Sequence, residues 1–82
     1  HFAKEFGHHG IRVNAIAPGT TEGERVAGLL TDADRAKQLA GIPLGRFATA
    51  DDLSAVVRFL LSDDSKYVTG ATIDVNGGVL TI

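Results

Sequence analysis

Two strand signals, separated by nothing but helix and turn, set the strongest constraint on what this 82-residue chain can fold into. Ile11 to Ala17 (IRVNAIA) puts Ile11, Val13, Ala15 and Ala17 on one face and Arg12, Asn14 and Ile16 on the other, and Pro18-Gly19 stops it. Ala71 to Val75 (ATIDV) alternates again and closes on Asn76-Gly77-Gly78. A strand, helices and a second strand in that order make a β-α-β unit whose strands run parallel through a right-handed crossover. Such sheets take helices on both faces and several strands, whereas two strands leave the far side of Ile11 to Ala17 unpaired. The expectation is an α/β chain that forms part of a larger domain.

The helical segments are readable one by one. His1 to Phe6 reads as the last turns of a helix, with Gly7 and Gly10 as its exit and no capping residue ahead of Phe2, so the helix is expected to start upstream. Glu22 to Leu30 and Asp32 to Ala40 are short helices, the second opened by Thr31-Asp32. Thr49 with Asp52 three places on resembles a capping box, with Asp in place of the longer Glu or Gln. It introduces Leu53, Val56, Val57, Leu60 and Leu61 at helical spacing, a stripe expected to pack as core on a sheet. Phe59 falls off that stripe and marks a second apolar face suited to a partner.

Composition narrows the partners. A net charge of −2 with no Lys/Arg run speaks against nucleic acid. The apolar stretches are far shorter than the ~20 residues that cross a bilayer, so no membrane partner is expected. Without a single cysteine, neither disulfides nor thiolate metal sites stand in for a core, which fits a reducing, cytoplasmic setting. Adjacent His8 and His9 point apart, so with His1 they read as solvated histidines and no metal site is expected. Asn14, polar in a strand that should be covered, reads as a structural hydrogen-bonding residue. Gly41 and Gly45 with Arg46 lack the Lys-Ser/Thr of a true phosphate loop and read as a connector.

The string Gly10-Ile11-Arg12-Val13-Asn14-Ala15-Ile16-Ala17-Pro18-Gly19 resembles the short-chain dehydrogenase/reductase family. Further matches follow in order: Pro43-Leu44-Gly45-Arg46, Asp51-Asp52-Leu53, Phe59-Leu60-Leu61-Ser62-Asp63, then Tyr67-Val68-Thr69-Gly70 and Val75-Asn76-Gly77-Gly78, so that the resemblance runs from about residue 2 to about residue 80. It implies a Rossmann-type doubly wound parallel sheet, of which residues 1–82 supply the C-terminal part of a single domain: two parallel strands plus helices. It further implies NAD or NADP as cofactor, hydride transfer to or from a carbonyl or alcohol, a small-molecule substrate of the 3-oxoacyl-thioester kind, and a homo-oligomer of the intact protein.

Residue by residue, the resemblance assigns Pro18, Gly19, Thr20 and Thr21 to the nicotinamide end of the cofactor site. Proline there fixes the turn and removes a donor, and glycine lets backbone approach a flat ring. Two departures stand out: Thr21 replaces the usual branched apolar residue, and Gly23 the usual threonine. Either Thr20 or Thr21 supplies a replacement hydroxyl, or both simply cap the turn. Val26 to Leu39 is the segment that closes over substrate in the family, and its apolar residues either line a pocket or fold onto the core. No position here matches a catalytic one. The Gly-rich loop, the Ser and the Tyr-x-x-x-Lys pair of the family are expected upstream, since Tyr67 is followed four places on by Ala71. The chain alone is therefore expected to be inactive. The competing expectation is a non-catalytic module that folds by docking on a partner's sheet edge.

Overall fold

β1 (Ala15–Pro18) and β2 (Thr72–Val75) lie side by side and parallel, pairing Ala15 with Thr72, Ile16 with Ile73, Ala17 with Asp74 and Pro18 with Val75. The structure is a computed structural model and describes residues 2–79. The ladder extends past both ends, since Ala15 N–H donates to Ala71 O and Gly19 N–H to Val75 O, each at 2.9 Å. Donors at 15 and 19 share one edge of the strand, so the N–H that Pro18 lacks belongs to the opposite, open edge.

The strand begins later than Ile11 because the residues before it are claimed by the loop ahead of β2. Val13 N–H donates to Thr69 Oγ1 at 3.0 Å, and Val13 O accepts from Gly70 N–H at 2.8 Å. Asn14 bridges the same loop, with Nδ2 donating to Val68 O at 3.0 Å and Oδ1 accepting from Ala71 N–H at 3.1 Å. Its structural role is as the sequence predicts. The Arg12 guanidinium donates to Leu60 O (2.9 Å), Ser65 O (3.0 Å), Ser65 Oγ (3.1 Å) and Val68 O (3.2 Å).

Helices follow the capping signals. α1 (Phe2–Gly7) ends in a turn through Gly10 at φ 73, where Ile11 N–H reaches back to Phe6 O at 3.1 Å. His1, assigned to this helix from the sequence, lies outside the described residues. α2 (Glu24–Leu29) starts two residues later than predicted, because Glu22 N–H is already bonded to Ala48 O at 2.7 Å. α3 (Asp32–Ala40) has the predicted bounds, with Thr31 Oγ1 accepting from Asp34 N–H at 3.1 Å. α4 (Ala50–Leu61) opens on a complete capping box: Asp52 N–H donates to Thr49 Oγ1 at 3.2 Å and Thr49 N–H to Asp52 Oδ2 at 2.8 Å. The short Asp side chain suffices. A 3-10 turn, Asp63–Ser65, then leads to β2.

One expectation is overturned. The α4 stripe does not form a buried core: Leu53, Val56 and Leu60 are half-buried, while Val57 is 41% and Leu61 80% exposed. Two strands about 4.8 Å apart make a ribbon narrower than the apolar stripe of a helix, so its flanks stay uncovered. The apolar residues buried among those described are Ala3 and Phe47. The accessible surface is 6335 Å², where a compact chain of 8.6 kDa exposes about 4700 Å². The radius of gyration is 15.7 Å, against about 12 Å for a compact chain of this length. Among the described residues no helix is long and apolar enough to cross a membrane.

With so little apolar surface buried, the isolated 82-residue chain is expected to melt without a sharp transition and to bind a hydrophobic dye before heating. Circular dichroism with dye fluorescence checks this, and a steep two-state transition without dye binding would contradict it.

Candidate functional site

Both strands point their carboxyl ends at a cavity of about 330 Å³, lined among others by Pro18, Gly19, Thr20, Ile42, Asp74 and Asn76. Pro18, the last residue of β1, is exposed. Gly19 is half-buried, and a Cβ there would lie 2.9 Å from Asn76 Cα and 3.0 Å from Asn76 Cβ. The close approach that requires glycine at this position is therefore to the end of β2, so the packing of the strand ends already accounts for the residue.

The two threonines do different work. Thr21 Oγ1 donates to Gly19 O at 3.1 Å and so caps its own turn, whereas Thr20 Oγ1 donates to Gln38 Oε1 on α3 at 3.3 Å. Thr21 forms an isolated parallel bridge with Ala48, carried by Ala48 N–H to Thr20 O at 3.0 Å and by the Glu22 N–H bond to Ala48 O. In a parallel bridge of this kind the flanking residues make the bonds, and the central residue's own N–H and C=O face the other way. Among the described residues, neither the N–H nor the C=O of Thr21 has a hydrogen-bond partner. A half-buried donor and acceptor side by side complement a primary carboxamide, which offers one C=O and one NH₂. The nicotinamide group implied by the family resemblance fits this pair.

Glycine and charge also place the loop that leaves α3. Gly77 sits at φ 68 with room taken by Ile42 Cγ2, 2.7 Å from where a Cβ would be, and its carbonyl accepts from Leu44 N–H at 3.0 Å. The loop that leaves α3 is thereby seated on the end of β2. Arg46, which also lines the cavity, pairs with Asp52 through Nη1–Oδ2 at 2.7 Å and Nη2–Oδ1 at 3.2 Å. The Arg46 hydrogen bond, then the Thr49 N–H, hold the Asp52 carboxyl well below the usual carboxylate range. Asp52 in turn raises the Arg46 pKa.

A larger cavity, about 610 Å³, opens between Arg12, Asn14, Val57 and Leu61. Its Arg12 and Asn14 are already spent on backbone carbonyls, which marks it as uncovered packing surface. Among the described residues no cluster of metal-ligating side chains is assembled, and His8 and His9 are exposed. Periodicity alone missed Arg35, whose guanidinium carbon lies 4.9 Å from the centre of the Phe47 ring and which also pairs with Glu22. Spacing in sequence held no signal for a contact that depends on how α3 folds back.

A crevice outside the carboxyl ends of parallel strands is where open α/β sheets bind their ligands, and this unit defines that class of protein. A family model described as Enoyl-(Acyl carrier protein) reductase matches residues 1–80. The chain is 47% identical over 78 residues to an uncharacterized short-chain type dehydrogenase/reductase of Sinorhizobium fredii, covering 95% of this chain and 31% of that protein. It is 47% identical over 77 residues to the 3-oxoacyl-(acyl-carrier-protein) reductase FabG of Pseudomonas aeruginosa, covering 94% and 31%. Cyclohexanol dehydrogenase of Rhodococcus is 43% identical over 79 residues, covering 96% and 29%. The crystal structure of a 3-oxoacyl-(acyl-carrier protein) reductase from Brucella melitensis superimposes with a TM-score of 0.92 at 38% identity, over 100% of this chain and 30% of the other. The chain belongs to the short-chain dehydrogenase/reductase family, and it spans about a third of the length of the relatives it matches.

Gly19→Ala is expected to displace Asn76 and to shift the amide resonances of Asn76 and Gly77, while Gly23→Ala, with nothing within 4 Å of its Cβ, leaves them in place. Equal spectra for the two variants would contradict the close approach. A carboxyl titration of Asp52 is expected to have its midpoint below the ordinary ~3.9 of aspartate. Because the folded value is the lower one, the stability Asp52 contributes is present above the ordinary value and lost as pH falls through the folded one.

Proposed function

We propose that this chain is the C-terminal part of an NAD(P)(H)-dependent oxidoreductase of the cytoplasm that moves a hydride between nicotinamide and a carbonyl or alcohol. One observation carries the proposal: the N–H and C=O of Thr21, unpartnered among the described residues, follow directly in the chain on Thr20, which lines the cavity at the strand ends. In this reading Thr21 N–H donates to the carboxamide oxygen and Thr21 C=O accepts from its NH₂, which sets the face of the ring presented to substrate. Pro18, Gly19 and Thr20 hold the turn that delivers Thr21, and the hydroxyl of Thr20 ties it to α3. When bound, NADH or NADPH would supply the hydride and the oxidised form would accept it.

The substrate side is given to the segment from Glu22 to Leu39, whose α2 and α3 have no buried residue and whose Leu29 is 70% exposed. A small 3-oxoacyl thioester is the proposed substrate class, supported by the names of the Pseudomonas and Brucella relatives. The acid/base Tyr-x-x-x-Lys pair and the Ser that orients the carbonyl are assigned to the part of the relatives' length that this chain does not span. The outward face of α4, with Phe59 at 43% exposure, is the surface proposed to pair two copies of the intact protein.

The intact protein is expected to oxidise NADPH or NADH with an acetoacetyl thioester, and the 82-residue chain alone to remain at the blank rate. Absorbance of the reduced nicotinamide follows both. An intact protein that neither binds nor oxidises either cofactor defeats the proposal, and turnover by the chain alone defeats the assignment of the catalytic groups.

A further inference from the structure

Arg35 sits on the middle of α3, and its two contacts fall on either side of the bridge that delivers Thr21. Its guanidinium pairs with the carboxylate of Glu22, the residue after Thr21. The same group lies over the ring of Phe47, the residue before Ala48, at 4.9 Å from the ring centre. Phe47 is 3% exposed and so is itself held firmly. Glu22 N–H and Ala48 N–H are the two donors of the bridge. One planar cation therefore spans both strands of a two-bond ladder that has no further rungs. A second tie from α3, Gln38, receives the Thr20 hydroxyl on the residue before Thr21.

An isolated bridge of two hydrogen bonds is weak by itself. A cation over an aromatic face is worth about as much as one such bond, and an exposed ion pair adds a smaller share. Together they are comparable with the bridge they brace. We propose that Arg35 is a positioning residue: by clasping Glu22 and Phe47 it holds the Thr21–Ala48 bridge closed and so fixes the direction of the free Thr21 N–H and C=O. The clasp also couples α3, on the substrate side, to the nicotinamide end of the site. The clasp itself stands on the contacts of Arg35, while its consequence for ligand binding rests on the carboxamide reading of Thr21.

The test uses the intact protein and two independent readouts. Amide hydrogen exchange at Glu22 and Ala48 reports the bridge, and Arg35→Ala is expected to speed it about tenfold by removing both contacts. Binding of NADPH or NADH is compared with binding of ADP-ribose, which lacks the nicotinamide. Arg35→Ala is expected to weaken the dinucleotide several-fold and to spare ADP-ribose. Unchanged exchange overturns the proposal, and so does an equal loss for both ligands, which is what a merely structural arginine would give. Should Arg35→Ala fail to fold, Glu22→Gln removes only the ion pair and is expected to speed exchange about twofold to threefold; no change there overturns it as well. If the unaltered protein binds ADP-ribose and dinucleotide equally, the carboxamide reading of Thr21 fails, while the exchange readout still decides the role of Arg35.

Discussion

One guanidinium organises the return of the chain. Arg12 collects the carbonyls of Leu60, Ser65 and Val68 and the Ser65 hydroxyl, so the end of α4, the 3-10 turn and the approach to β2 are gathered onto the residue just ahead of β1. Leu60 O is one of the orphan acceptors of a helix C-terminus, where a cation is also favoured by the helix dipole. Ser65 is completely buried, and its hydroxyl donates within the same turn, to Leu60 O at 2.9 Å or Ser62 O at 3.1 Å. Each of these carbonyls has one other donor, the Ser65 hydroxyl, the Val68 N–H or the Asn14 amide, so the cation ties together acceptors that those bonds leave half satisfied. With Asn14 closing the loop on its other side, the start of β2 has only one place to go, alongside β1 and parallel to it.

From that pairing follows the geometry of the strand ends. β1 and β2 finish at the same level, and their next residues, Gly19 and Asn76, meet at a distance that admits no side chain on Gly19. Gly77 then takes a left-handed conformation and receives Ile42, which seats the loop returning from α3. The segment carrying α2 and α3 is thus anchored at both ends to the same few residues, while its helices themselves bury nothing fully. The sparse core has the same origin: a two-stranded ribbon cannot cover the broad apolar stripe of α4, and Leu61 and Phe59 remain in contact with water.

Much of this architecture was legible from local chemistry. Thr49 and Asp52 announce a capping box and form one, and Thr31 caps α3 with the bounds the spacing predicts. Asn14 in a run of apolar residues demands partners and finds them. The end of β1 was equally legible, because Pro18-Gly19 stops a strand, and β1 finishes at Pro18. What failed were statements about burial. The stripe from Leu53 to Leu61 has the periodicity of a core helix, yet periodicity reports which face is apolar and not whether anything covers it. The late starts of β1 and α2 share another cause, since Val13 and Glu22 are claimed by distant backbone partners that local propensity does not see.

The amino-acid order by itself determined the starts of α3 and α4, the two parallel strands and the family, because each depends on short strings of neighbouring residues. Tertiary structure alone decided that Gly19 answers to Asn76, that Thr21 keeps a free donor and acceptor, and that Arg35 lies between Glu22 and Phe47. Those contacts join residues separated by turns whose angles no local pattern encodes.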